Sequence, residues 1–83
     1  MAKTTAYRIH AEWDPDAKCW AAFSDDVPGL ATGADTMEEL IEKLHVVVPE
    51  LLVENGLLEP ADGEFEVPFH VMAERRERAH GTA

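Results

Sequence analysis

Hydrophobic positions recur along this chain with two periods. Tyr7, Ile9, Ala11 and Trp13 alternate with Arg8, His10 and Glu12, the period of two that a strand shows when one face packs and the other is wetter. Lys18 to Ser24 is apolar on both faces, which predicts an interior strand with cover above and below. Leu30 to Ala34 is short and contains Gly33, which suits an edge strand or a bulge. The period then changes. Met37, Leu40, Ile41, Leu44, Val47, Val48, Leu51 and Leu52 are spaced by three and four, predicting a helix with one apolar face and with Glu38, Glu39, Glu42, Lys43 and Glu50 off it. Alternation resumes from Phe65 to Met72. Pro68 cannot donate to a ladder, so this last strand belongs at an edge, or has that position facing out.

The joints between these segments carry their own chemistry. Asp14-Pro15-Asp16-Ala17 reads as the turn of a first hairpin. Pro28 presets φ for the second residue of a type II turn and Gly29 supplies the positive φ of the third, so the chain reverses between Val27 and Leu30. Asp35 or Thr36 caps the helix, each with a glutamate three residues on, and Asn55-Gly56 is its left-handed stop. The helix is thus predicted over Met37 to Glu54. Pro49 falls inside it, a position that normally costs about 3 kcal/mol, yet the apolar stripe continues in register, predicting a kinked single helix. Leu57 and Leu58 should tuck beneath the sheet edge, and 59–63 is an acidic turn.

The order strand, strand, strand, helix, strand predicts an α+β domain. Three strands form an antiparallel meander, one helix covers one face, and the last strand returns beside the first and parallel to it, in spatial order 3-2-1-4. Residues 1–73 form this single domain and 74–83 a flexible charged tail with too little apolar content to pack. One helix leaves the other sheet face, carrying some of Arg8, His10, Glu12, Trp20, Ala22, Glu66, His70 and Met72, for solvent, a second subunit or a partner.

Composition changes the picture in three ways. A chain of 83 residues buries only roughly 60% of its unfolded surface, so a second copy covering apolar area would help it, and a homodimer is expected. The formal charge is −10, and between Glu12 and Glu66 fifteen acids face only Lys18 and Lys43. Such a surface repels phosphate, which argues against direct nucleic-acid binding by the core and for a basic protein partner. Cys19 is the single cysteine, which excludes an internal disulfide. No apolar run follows the first residues and no stretch approaches a membrane span, so a cytoplasmic protein without a membrane partner is expected.

The run Trp20-Ala21-Ala22-Phe23-Ser24-Asp25-Asp26-Val27-Pro28-Gly29-Leu30-Ala31-Thr32, followed by Ala34-Asp35-Thr36-Met37-Glu38-Glu39-Leu40, resembles the HicB-like antitoxins. In those a strand leads into a D-x-P-G turn and a capped helix start. The likeness is greatest to a short bacterial subgroup with a P-E-L-L helix end, here Pro49-Glu50-Leu51-Leu52, and spans Tyr7 to Leu52. It implies a β-β-β-α-β, partial ribonuclease-H-like fold, dimerisation, and neutralisation of a small basic HicA-type mRNA-cleaving toxin by protein contact. The DNA-binding domain usual at the C-terminus of that family is not among these residues.

Candidate chemistry narrows from there. A nuclease needs converging carboxylates around a metal, whereas Asp25 and Asp26 are adjacent and point apart on extended chain, and the first strand has no mid-strand aspartate. His10 and His70, with Glu12 or Glu66, would make a surface zinc site if the outer strands pair, but exposed strand histidines are commoner than ligands. Cys19 as a nucleophile would need a histidine base and exposure that an interior strand does not offer. No enzyme activity and no cofactor are therefore expected. Candidate contact residues are Trp20, as an aromatic anchor, with Asp25, Asp26, Glu38 and Glu42; Pro28, Gly29, Asp35, Thr36 and Gly56 have turn and cap roles. The competing expectation is a stand-alone homo-oligomer with a structural or small-molecule-sensing role.

Overall fold

The first hairpin, the Pro28-Gly29 turn and both helix ends close as expected in the computed structural model, which describes residues 6–58 and 66–82. Strands β1 (Tyr7–Asp14), β2 (Cys19–Phe23) and β3 (Ala31–Ala34) precede one helix, α1 (Met37–Glu54), and strand β4 (Phe69–Glu74) follows it. The sheet order is β3-β2-β1-β4, with β1 antiparallel to β2, β2 antiparallel to β3, and β4 parallel to β1. The α+β architecture, the strand order and the single helix are those the periodicities predict.

The helix shows local and tertiary forces at odds. Thr36 is the cap: its Oγ1 accepts from the Glu39 N–H at 3.1 Å, so of the two candidates Asp35 is displaced by its neighbour. At the other end Leu57 N–H donates to Leu52 O (2.9 Å) and Gly56 N–H to Val53 O (3.1 Å), the paired bonds of a Schellman stop, with Gly56 at φ 73°. Between them Val46, Val47, Val48 and Pro49 form a run of poor helix formers. The helix continues across it because Val48 and Leu52 are fully buried, as are Leu40 and Leu44. Each such side chain is worth about 1.5–3 kcal/mol when taken from water, enough to offset the proline.

The buried helix face meets Ile9 and Ala11 of β1, Ala22 of β2, Ala34 of β3, and Val27 and Leu30 of the intervening turn. Trp20 and Ala22, which the sequence leaves open for the uncovered face, instead face the helix. The β1–β2 register pairs Ala22 with buried Ala11 and Trp20 with Trp13, so Cys19, Ala21 and Phe23 take the other face. Nothing covers that face among the described residues, and Phe23 is 42% exposed, so β2 lacks the second layer its apolar run suggests.

Three further expectations shift. Leu58 packs against the core, but Leu57 is 49% exposed because it closes the helix stop. The last strand starts at Phe69, since Glu66 to Pro68 have no ladder of their own; Phe65 and the acidic turn lie outside the described residues. The Tyr7 N–H nevertheless reaches Pro68 O at 3.0 Å. β4 also includes Glu74, and residues 75–82 beyond it are exposed and neither helix nor strand.

Candidate interaction surface

The turn after β2 is a small lattice built on two side chains. Ser24 Oγ accepts from the N–H groups of Asp26 (3.0 Å) and Val27 (3.2 Å) and donates to Arg8 O (2.5 Å). Asp26 Oδ2 accepts from the Arg8 N–H at 2.8 Å, with the Arg8 Nε 3.7 Å away. Leu30 N–H then closes on Val27 O at 3.2 Å, with Gly29 at φ 84° as the type II turn requires. Asn55 ties this turn to the helix end, its Nδ2 donating to Pro28 O (3.0 Å) and Leu51 O (2.8 Å).

Asp26 is thus bound into the fold, whereas Asp25 beside it is exposed. An Asp26→Ala substitution is expected to lower stability by about 1 kcal/mol, a charge-assisted bond discounted for the partial exposure of the carboxylate. Asp25→Ala should leave stability within about 0.5 kcal/mol of the parent. Urea midpoints of the two variants check this, and equal midpoints would contradict it.

Trp20 is half-buried on the helix side, edge-on to Trp13 with ring centroids 5.5 Å apart. Arg75 lies over the Trp13 ring, 4.0 Å from its centroid, a cation–π contact that holds the start of the tail. Glu38 and Glu42 are exposed four residues apart on the outer helix surface, away from Trp20's layer. Ion pairs among the described residues are Arg8–Asp26 and Arg75–Glu77, so the helix glutamates are not internally neutralised. Lys43, the one base of the helix, turns its Nζ to Gly33 O at 2.6 Å and pins β3. The structure therefore joins Glu38 and Glu42 in one acidic surface and leaves Trp20 and Asp26 in structural contacts.

Two surface clefts lie among the described residues. One of about 360 Å³ is lined by Glu12, Trp13, Pro15, Glu74 and Arg76, with Glu12 and Glu74 paired across strands. The other, about 400 Å³, is lined by Glu39, Glu42, Lys43, Val46 and Val47. His10 pairs with Met72 rather than His70 in the parallel register, and its ring stacks on Phe23 at 5.6 Å. Among the described residues no group of three or more His, Cys, Asp or Glu side chains is placed to hold a metal. No helix among them is long and apolar enough to cross a membrane. The residue that sequence reasoning missed is Phe23, whose place on the uncovered face depends on the register of β2 against β1.

These features define a small α+β domain with a sheet covered on one side and an acidic helix exterior. The chain belongs to the family described as "Domain of unknown function (DUF1902)", whose model matches residues 6–82. It is similar to the crystal structure of hypothetical protein TTHA1013 from the extremely thermophilic bacterium Thermus thermophilus. The two are 45% identical over 90% of this chain and 97% of that one, with a TM-score of 0.66. No curated protein matches the chain.

Proposed function

We propose that this chain is a binding module without a reactive centre, whose acidic helix and turn surface engages a small basic protein in the cytoplasm. The carrying observation is the outer face of α1: Glu38, Glu39 and Glu42 are exposed and, among the described residues, in no ion pair, while the Nζ of Lys43 is bonded to Gly33 O. A face of one sign steers a partner of the opposite sign and holds it in a salt-dependent manner. With the resemblance to HicB-like antitoxins, the partner fits a HicA-type mRNA-cleaving toxin, neutralised by contact at its basic surface.

The test titrates the chain with any small basic protein found encoded beside it, in low and high salt, by calorimetry. Binding should weaken at high salt and fall at least roughly tenfold, about 1.4 kcal/mol, for the double variant Glu38→Lys/Glu42→Lys. Absence of binding at low salt, or binding indifferent to both changes, would overturn the proposal and favour a stand-alone oligomer.

A further inference from the structure

The two edges of the sheet are unlike. β3 is four residues long, and its Gly33 carbonyl is already taken by Lys43. β4 is six residues long, pairs with β1 without a bulge, and carries one charge, Glu74. Exposed edges are normally blunted by lysine, proline or a bulge inside the strand. Phe69 to Ala73 contains none of these.

The side of β4 that points outward is determined. Tyr7 N–H donates to Pro68 O, and Tyr7 pairs with Phe69 in parallel register. Backbone groups alternate along a strand, so those of His70, Met72 and Glu74 turn toward β1 and those of Phe69, Val71 and Ala73 turn outward. Three consecutive outward positions thus present donors and acceptors with no strand beside them among the described residues.

We propose that this outward edge pairs, antiparallel, with the same edge of a second copy of the chain, joining two four-stranded sheets into one of eight. Opposite residues in an antiparallel pair share a face, so the two-fold axis must pass through a single residue position. Polar pairing chooses Met72. Centred there, Val71 meets Ala73 of the second copy on the helix side, and Met72 meets itself on the open side. His70 then faces the Glu74 carboxylate, and the same register carried past the strand ends would set the exposed Glu66 opposite the exposed Arg78, each pair occurring twice. Centred on Val71 instead, His70 would face Met72 and Glu74 would face Pro68, and the first of these complements would be lost.

The overall charge distribution favours the same place. Fifteen of the seventeen acids lie between Glu12 and Glu66, while Arg75, Arg76 and Arg78 follow β4 directly. Two copies of an acidic chain repel least where each offers its basic segment to the other. The proposal is independent of the basic-partner reading and survives or fails without it.

Sedimentation velocity on the full chain at high concentration and on dilution, with three variants, tests it. The parent should be a dimer that dissociates on dilution. Val71→Pro removes an outward N–H and no bond to β1, so it should keep the parent's circular dichroism and be monomeric. In a Cys19→Ser background, Met72→Cys should form an intermolecular disulfide under mild oxidation. The facing α-carbons of a non-hydrogen-bonded pair, about 4.5 Å apart, lie within disulfide range. Val71→Cys in the same background should do so at least roughly tenfold more slowly. A monomeric parent at high concentration, a dimer that survives Val71→Pro, or cross-linking that favours Val71→Cys would each overturn the proposal.

Discussion

Leu44→Ala is expected to lower the stability of this domain by about 2–5 kcal/mol. Leu44 is fully buried at the middle of the helix stripe, in one cluster with Ile9, Ala11, Ala22 and Leu40. Those neighbours are short or already engaged, so they cannot collapse into the space that the leucine leaves. A chain of this length is worth only roughly 4–12 kcal/mol in total, and each kilocalorie moves the midpoint of a domain this size by about 4–8 °C. The variant should therefore melt at least roughly 8 °C below the parent. Val46→Ala, two positions along and 59% exposed, is the control and should stay within about 0.5 kcal/mol. Melting curves followed by circular dichroism check both. Equal losses at the two positions would mean that the helix is not seated on this face.

Gly33→Ala is the second large effect, expected at about 1–3 kcal/mol. A Cβ built on Gly33 would lie 2.8 Å from the carbonyl oxygen of Trp20, closer than real Cβ contacts come. That oxygen is backbone of the neighbouring strand and cannot swing aside as the end of a side chain could. The strand pair must therefore spread, which strains the Trp20–Ala34 and Ala22–Thr32 neighbours and the Lys43 bond to Gly33 O. Gly29 differs in kind: its Cβ would meet Leu51 at an ordinary 3.8 Å, and the cost there comes from φ 84°. Hydrogen exchange separates the two. Gly33→Ala should raise exchange at the amides of β3 and β2 before the rest of the sheet, and unchanged exchange there would refute the close-approach account.

The helix and the turns were legible because each depends on residues within one or two turns of chain. Thr36 or Asp35 followed by a glutamate, the three-and-four spacing up to Leu52, and Asn55-Gly56 bound α1 at Met37 and Glu54, as observed. Pro28-Gly29 identified its turn by the same local logic. The candidate surface was legible only as charge. Glu38 and Glu42 are exposed neighbours because helical spacing makes them so, whereas Asp26 is held by the Arg8 N–H, eighteen residues away, which no local pattern announces.

What the amino-acid order determined by itself is the set of elements and their stripes, since propensity, capping and periodicity act over short distances; the sheet order then followed from the sequence of elements and general connection rules. The tertiary structure decided which face of β2 meets the helix, how close Gly33 comes to Trp20, and that the Lys43 ammonium bonds to β3. It also turned one side of β4 outward. These depend on register and on contacts between residues far apart in the chain, where a shift of a single residue exchanges the two faces of a strand.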